Sequence, residues 1–160
     1  MSRRGQVKPR EIVPDTRYNS DTIARIINYC MMDGRKSAAT QGVYEAIDIV
    51  QRETKSDDIL VTLEQALDSI KPKVEVRPRR IGGAVYQVPT PVHGRRQMSL
   101  AIRWLITSTR ALSSKQYHSF GQKLASELLS ALKNEGSSVN KRLEVERMAD
   151  ANKAFAHLRW

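Results

Sequence analysis

The sequence lacks the features of a disulfide-linked or membrane-spanning protein. Its 160 residues include one cysteine, Cys30, which excludes an internal disulfide framework and suits a reducing compartment. No apolar run reaches about 18 residues, so no segment is expected to span a membrane. The N-terminal residues 1–6 carry charge but no apolar core, so we expect no secretory signal here.

The sequence also lacks the patterns of a catalytic or metal-binding protein. The three histidines have neither mutual spacing nor cysteine or carboxylate neighbours that resemble a metal site. Gly82-Gly83 lacks the flanking residues of a phosphate-binding loop, and Asp57-Asp58 is better explained by helix capping. Cys30 falls on an apolar helical stripe and is interpreted as a small buried hydrophobe. The sequence therefore predicts no enzyme, no metal and no cofactor.

What the chain has in excess is positive charge. It contains 27 Lys and Arg against 17 Asp and Glu, a net charge of +10, with a pI of about 10.0. The net charge is +3 over 1–17, −4 over 18–70, +8 over 71–110 and +3 over 111–160. Such a field attracts polyanions, and its concentration in the middle of the chain indicates a localised binding surface.

The periodicity predicts a mainly all-α protein, a bundle of about six helices with one protruding basic β-hairpin and a disordered basic N-terminal arm. We expect the arm over 1–17 to order only on a partner, and a single helical domain over 18–160 with the hairpin inserted at about 73–92. The first three predicted helices begin at Ser20 or Asp21, after Gly34, and at Ser56–Asp58. The fourth begins near Gln97, and the fifth covers about 115–134. The sixth begins at Ser137 or Ser138 and nearly reaches the C-terminus.

Two short runs with β-prone residues predict the hairpin. Val74 and Val76 alternate with charged residues, a second run covers 84–88, and Gly82-Gly83 provides the turn between them. A lone two-stranded ribbon is only marginally stable in water, so we expect it to pack against another part of the molecule. Its positive side chains either protect an exposed edge from aggregation or form an arm that contacts nucleic acid. Tyr86 could stack on a base or simply pack.

Arginines recur at helical spacing in the fourth predicted helix. Arg96, Arg103 and Arg110 are seven residues apart, drift by about 20° per step and rise by about 10 Å per step. Their mean direction lies about 140° from the apolar face. Trp104 lies off that apolar face, and we expect it either to pack against a neighbouring helix, the usual outcome, or to meet a partner protein or a base. A solvated helix face is the plain interpretation, but beside Arg95 and the basic hairpin the pattern favours a row of guanidinium groups on a phosphate backbone.

Longer motifs resemble one protein family along essentially the whole chain. They are Asp33–Ser37, Lys71–Arg77, Arg79–Pro89, Leu100–Trp104 and Arg147–His157. Together they are similar to small-subunit ribosomal protein seven of bacterial type, which is also found in organelles. The resemblance implies a helical bundle with a β-ribbon that binds small-subunit ribosomal RNA directly as a primary binder, nucleates head assembly, and lies at the subunit interface near the exit-site tRNA and the mRNA exit path.

The resemblance also implies site residues and partners. The expected ribosomal-RNA contacts are Arg3, Arg4, Lys8, Arg10, Arg35, Lys36, Lys73, Arg77, Arg79, Arg80, Arg95, Arg96, Arg103 and Arg110. Residues expected near the tRNA and mRNA are Ile81, Gly82, Gly83, Tyr86, Arg147, Asn152 and Lys153. Neighbouring head and platform proteins are the other implied partners, without a homo-oligomer. The implied location is the ribosome of the cytoplasm, with an organelle matrix or stroma left open.

Two alternatives from other classes remain at this stage. A DNA-architectural or regulatory protein would use the ribbon as a minor-groove arm, usually as a dimer, but no apolar stripe is left over for a dimer interface. A protein-interaction module would bind an acidic partner through its basic face and show no preference among nucleic acids.

Overall fold

A computed structural model describes residues 11–56 and 58–159 of the chain. Its helices are α1 (Asp21–Cys30), α2 (Lys36–Thr54), α3 (Ile59–Ile70), α4 (Gly94–Ala111), α5 (Phe120–Leu132) and α6 (Ser137–Ala151), followed by a 3₁₀ helix η1 (Lys153–Leu158). Strands β1 (Val74–Ile81) and β2 (Ala84–Pro91) lie between α3 and α4. The predicted mainly helical architecture with one hairpin is confirmed.

Short polar side chains set the starts of three helices. The Ser20 hydroxyl accepts a hydrogen bond from the backbone N–H of Ile23 at the start of α1. The Asp58 carboxylate accepts from Leu60 at the start of α3, and the Ser119 hydroxyl accepts from Gln122 at the start of α5. Each cap satisfies an N–H group that has no partner within its helix.

The core lies between α2, α5 and the helices around them. Helix α2 packs against α1 and α5, and α5 also packs against α3 and α4. The fully buried side chains come from every one of these five helices, and the largest include Ile23, Ile47, Leu67, Ile102 and Leu124. Their helical spacing gives each helix one apolar stripe, and the stripes meet in one cluster.

The hairpin is a two-stranded antiparallel ribbon with a two-residue turn. Its register pairs Val74 with Pro91 at the base and Ile81 with Ala84 next to the turn. Gly82 and Gly83 form the turn with φ values of +57° and +89°. Both central residues of this hairpin turn need positive φ, which glycine adopts without steric cost.

The ribbon packs against other elements of the structure, as expected. Helix α6 packs against β1, and η1 packs against β2. The rings of Tyr86 and Phe155 lie 5.3 Å apart, centroid to centroid. At the base, the side-chain amide of Gln97 in α4 donates a hydrogen bond to the Pro72 carbonyl. Three other elements, α4, α6 and η1, therefore hold an otherwise marginal hairpin.

Several predicted helix ends were wrong. Helix α4 begins at Gly94, before Gln97, since Gly94-Arg95-Arg96 contains no apolar residue to reveal the start. Helix α5 spans Phe120–Leu132 rather than about 115–134, because the Ser119 cap fixes its first turn. Helix α6 ends at Ala151, and η1 continues with the tighter 3₁₀ geometry instead of an α-helix that nearly reaches the terminus.

Trp104 packs within the bundle, which is the first of the two expectations for it. Its side chain is half-buried and packs against the core cluster. The indole covers apolar surface next to the main stripe of α4, which is the usual fate of a large aromatic side chain beside a core.

The end of the predicted arm is attached to α2. Asp15 is buried, and its carboxylate accepts hydrogen bonds from the Tyr44 hydroxyl at 2.8 Å and from the backbone N–H groups of Arg17 and Tyr18. The Arg17 guanidinium forms an ion pair with Asp48 at 3.0 Å. These contacts fix the direction in which the chain enters the bundle.

Across 11–56 and 58–159, none of the helices has the length and apolar character needed to cross a lipid bilayer.

Replacing a core leucine tests the packing. Leu67→Ala should lower the free energy of unfolding by about 2–5 kcal/mol, because the fully buried side chain of α3 leaves a cavity. Leu143→Ala on α6, whose side chain is 44% exposed, is the matched control and should change it by less than about 0.5 kcal/mol. Urea unfolding followed by circular dichroism measures both; equal losses would contradict the assignment of the core.

Candidate nucleic-acid interface

A buried carboxylate joins the hairpin to α4. Glu75 of β1 is only 7% exposed. In the sequence it looks like an ordinary polar residue of a strand in which apolar and charged residues alternate. Its Oε2 lies 2.8 Å from Nε and 2.7 Å from Nη2 of Arg96, and its Oε1 lies 2.5 Å from Nε of Arg77. One anion therefore holds two arginines that come from different elements.

The charge state of this cluster follows from its contacts. Burial by itself would raise the pKa of Glu75, but the hydrogen bonds from Arg96 and Arg77 outweigh burial and lower it below the ordinary glutamate value. The same bonds raise the pKa of Arg96. All three groups are charged at neutral pH, so the cluster keeps a net charge of +1.

A basic groove runs between α1 and α4 next to the cluster. It is a shallow, open depression of about 370 Å³ lined by Tyr29, Arg95, Arg96, Ser99 and Arg103. Arg95 and Arg103 are exposed and form no hydrogen bond or ion pair with any residue that the structure describes. Guanidinium groups without a protein partner are available to an anionic ligand.

A second, wider groove shares Arg95 with the first. It encloses about 970 Å³, and its basic residues are Arg25, Lys71 and Arg95, while Glu11 and Asp21 also line it. The Nε atom of Arg25 is buried and has no hydrogen-bond partner within the described ranges. Gly94 at the start of α4 belongs to the same groove. The positive surface therefore continues from the hairpin across the start of α4 to α1.

The arginine row of α4 has the predicted direction. Arg96, Arg103 and Arg110 are all exposed, on the side of α4 away from its buried residues. They have different environments: Arg96 pairs with Glu75, while Nη2 of Arg110 donates a hydrogen bond to the Cys30 carbonyl at 3.1 Å. That carbonyl ends α1, where a positive charge is favourable. Arg103 is the member of the row best placed to bind a ligand.

The remaining hairpin candidates lie on both faces of the ribbon. Lys73 and Arg80 are exposed, whereas Arg79 is half-buried and lies opposite Tyr86 in the register. The tip at Gly82 and Gly83 is open, because a Cβ added at either glycine would meet no atom within 4 Å. Ile81 next to the tip is half-buried, and Tyr86 packs against Phe155.

The other candidates lie away from this groove or outside the described residues. Exposed Arg35 and Lys36 begin α2, and Lys36 lines a different groove with Tyr44 and Asp48. The C-terminal candidates, which lie on α6 and in the segment after it beside the hairpin, are Arg147, Asn152 and Lys153. The predicted arm contacts Arg3, Arg4, Lys8 and Arg10 fall outside the residues that the structure describes.

The sequence reasoning missed three residues of this surface. Glu75 gave a weak signal, as the one acidic residue within 71–110, but its burial depends on an arginine 21 residues away. Tyr29 and Arg25 lie on α1, and nothing in the local sequence shows that α1 packs beside α4. Such a juxtaposition is a property of the tertiary fold.

The histidine, cysteine and acidic side chains of the described residues do not form a metal site, and the one cysteine is not activated. No group of three or more histidine, cysteine or acidic side chains within 11–56 and 58–159 is placed to hold a metal ion. Cys30 is buried, and burial raises the pKa of its thiol to about 12, so the reactive thiolate is scarce at neutral pH.

The Glu75 cluster predicts a pH-dependent stability. Because the pKa of Glu75 is lower in the folded than in the unfolded chain, its ionised form stabilises the fold above the ordinary glutamate pKa. That contribution is lost as the pH falls through the folded-state value. Glu75→Gln should lower the free energy of unfolding by about 1–2 kcal/mol at about pH 7 and by much less at about pH 2.

Urea titrations at both pH values measure the difference between the wild type and Glu75→Gln. Glu64→Gln, at an exposed position of α3, serves as the control. A loss with Glu75→Gln that is equally large at low pH would show that the ion pairs do not cause it.

Comparison with known proteins identifies the family of the chain. Residues 2–153 match the family model described as ribosomal protein S7p/S5e. Relatives named small ribosomal subunit protein uS7 match over the full length of both chains, with 51% identity in Dictyoglomus thermophilum, 48% in Xanthobacter autotrophicus and 46% in Stenotrophomonas maltophilia. These matches disfavour the DNA-architectural and acidic-partner alternatives. The chain therefore belongs to the ribosomal protein S7p/S5e family, whose members are structural, non-enzymatic components of the small ribosomal subunit.

Proposed function

We propose that the chain binds the ribosomal RNA of the small subunit directly, as a primary binder that nucleates assembly of the head. The observation that carries this proposal is the continuous basic surface formed by the hairpin and α4. Glu75 ties Arg77 to Arg96, and the groove with Arg95 and Arg103 begins at Arg96. Family membership supplies the ribosomal context, and the charge supplies the class of ligand.

The geometry favours recognition of RNA shape through phosphates. Side chains cannot read the deep, narrow major groove of A-form RNA, so binding is directed to backbone, junctions and loops. Guanidinium groups can bind phosphate oxygens in pairs. The exposed arginines on two elements that are fixed relative to each other would match one arrangement of phosphates and reject others.

The finer location is part of the same proposal. The hairpin tip and the C-terminal segment would lie towards the exit-site tRNA and the mRNA exit path at the subunit interface, next to neighbouring head and platform proteins. In support, Gly82 and Gly83 leave the tip free of side chains, so backbone can approach a nucleic acid closely. The segment with Asn152 and Lys153 lies beside the hairpin, because η1 packs on β2.

A competition binding assay at physiological salt tests the proposal. Labelled head-domain RNA of the small subunit competes against unrelated structured RNA and against duplex DNA of equal length. We expect a preference of about a thousandfold for the head-domain RNA, on the scale of specific nucleic-acid sites. Equal affinity for the three competitors would contradict the proposal and indicate generic charge attraction.

Removing one unpaired arginine should weaken binding in a defined way. Arg103→Gln should weaken RNA binding and reduce the slope of log K against log salt by about one unit, because one phosphate contact is lost. Arg103 is preferred to Arg96, whose loss would also leave Glu75 without a partner. The control is Arg52→Gln on α2, where Nε of Arg52 donates to the Asp48 carbonyl. Filter binding across a salt series measures both; an unchanged slope for Arg103→Gln would exclude its phosphate contact.

A further inference from the structure

Tyr29 is a partly exposed aromatic side chain in the basic groove between α1 and α4. It belongs to α1, whose buried residues include Ile26, Ile27 and Cys30, but its own side chain is 37% exposed. It forms no hydrogen bond, ring contact or cation–π contact with any residue that the structure describes. Neither its ring nor its hydroxyl therefore has a polar or aromatic partner within the described residues.

The other tyrosines of the chain all have partners. Tyr18 and Tyr44 contact each other and the Arg17 guanidinium. Tyr86 packs on Phe155, and the hydroxyl of Tyr117 lies 2.8 Å from that of Ser126. Tyr29 differs from these four because neither its ring nor its hydroxyl has such a partner within the described part of the molecule.

The surroundings of Tyr29 are basic. Its groove of about 370 Å³ is shared with Arg95, Arg96, Ser99 and Arg103, and it contains no acidic residue. A planar apolar ring flanked by guanidinium groups is the combination that binds single-stranded nucleic acid, since bases stack on the ring and phosphates bind the cations.

We propose that Tyr29 is a stacking platform for one unpaired nucleotide of the bound RNA, with its flanking phosphates on Arg95 and Arg103. This inference rests on the proposed function and names a further feature of the RNA. Bases inside a duplex are already stacked on their neighbours, so the groove selects RNA that has a bulged or looped nucleotide at this point. The arginines provide affinity for any phosphate backbone, whereas Tyr29 provides the preference for the unpaired nucleotide.

Two substitutions separate stacking from other roles. Tyr29→Phe keeps the ring and should leave the affinity for head-domain RNA unchanged. Tyr29→Leu keeps apolar bulk but removes stacking, and it should weaken binding by about 5- to 100-fold. The salt slope should stay the same in both variants, because no charge is lost. Thermal unfolding of the free variants confirms that each has folded.

Fluorine NMR on the full chain labelled with 3-fluorotyrosine observes the ring directly. Tyr29→Phe identifies the Tyr29 signal by its disappearance. On addition of head-domain RNA, the Tyr29 signal should move upfield through the ring current of the stacked base. The signal of Tyr117, which lines a different groove with Glu53 and Glu135, should stay in place.

The outcomes distinguish this inference from the proposed function. Specific RNA binding together with a stationary Tyr29 signal, or with equal affinity of Tyr29→Leu and the wild type, overturns the stacking role and leaves direct RNA binding intact. Absence of specific RNA binding by the wild type overturns both.

Discussion

The arrangement of the molecule depends on one buried carboxylate placed among positive charges. Residues 71–110 contain nine Lys and Arg and a single acidic residue, Glu75. Bringing a basic hairpin against a basic helix would be opposed by repulsion between like charges. Glu75 removes this opposition at the point of contact by accepting hydrogen bonds from Arg77 and Arg96. The exposed arginines Arg80, Arg95 and Arg103 can then face solvent without driving the two elements apart.

The same contact converts a marginal ribbon into a fixed part of the surface. An isolated two-stranded hairpin is at best marginally stable in water, but this one is held by Glu75 towards α4, by Phe155 on Tyr86, and by α6 along β1. Groups that are fixed before binding lose less conformational entropy when a ligand arrives. This is the physical reason for proposing that the hairpin and α4 act as one RNA-binding surface, within a family whose members are small-subunit ribosomal proteins.

Local sequence was sufficient where local chemistry decides the structure. The spacing of Arg96, Arg103 and Arg110 predicted their shared direction, and Gly82-Gly83 predicted the hairpin turn. Local sequence was insufficient where contacts with residues far away in the sequence determine the structure. Burial of Glu75 depends on Arg96, and the end of α6 at Ala151 is followed by a 3₁₀ segment packed on β2. The site at Tyr29 was not predictable either, because it exists only through the packing of α1 beside α4. The family motifs predicted the residue types of the surface but not their pairing.

Arginine-specific modification with phenylglyoxal, read by mass spectrometry, tests most directly whether the hairpin and α4 form one RNA-binding surface. The full chain is modified alone and in complex with head-domain RNA of the small subunit. The account predicts that Arg80, Arg95 and Arg103 become protected together, while Arg52 on α2 stays reactive. Protection of the hairpin without α4, or protection of Arg52 with Arg103 still reactive, would contradict it.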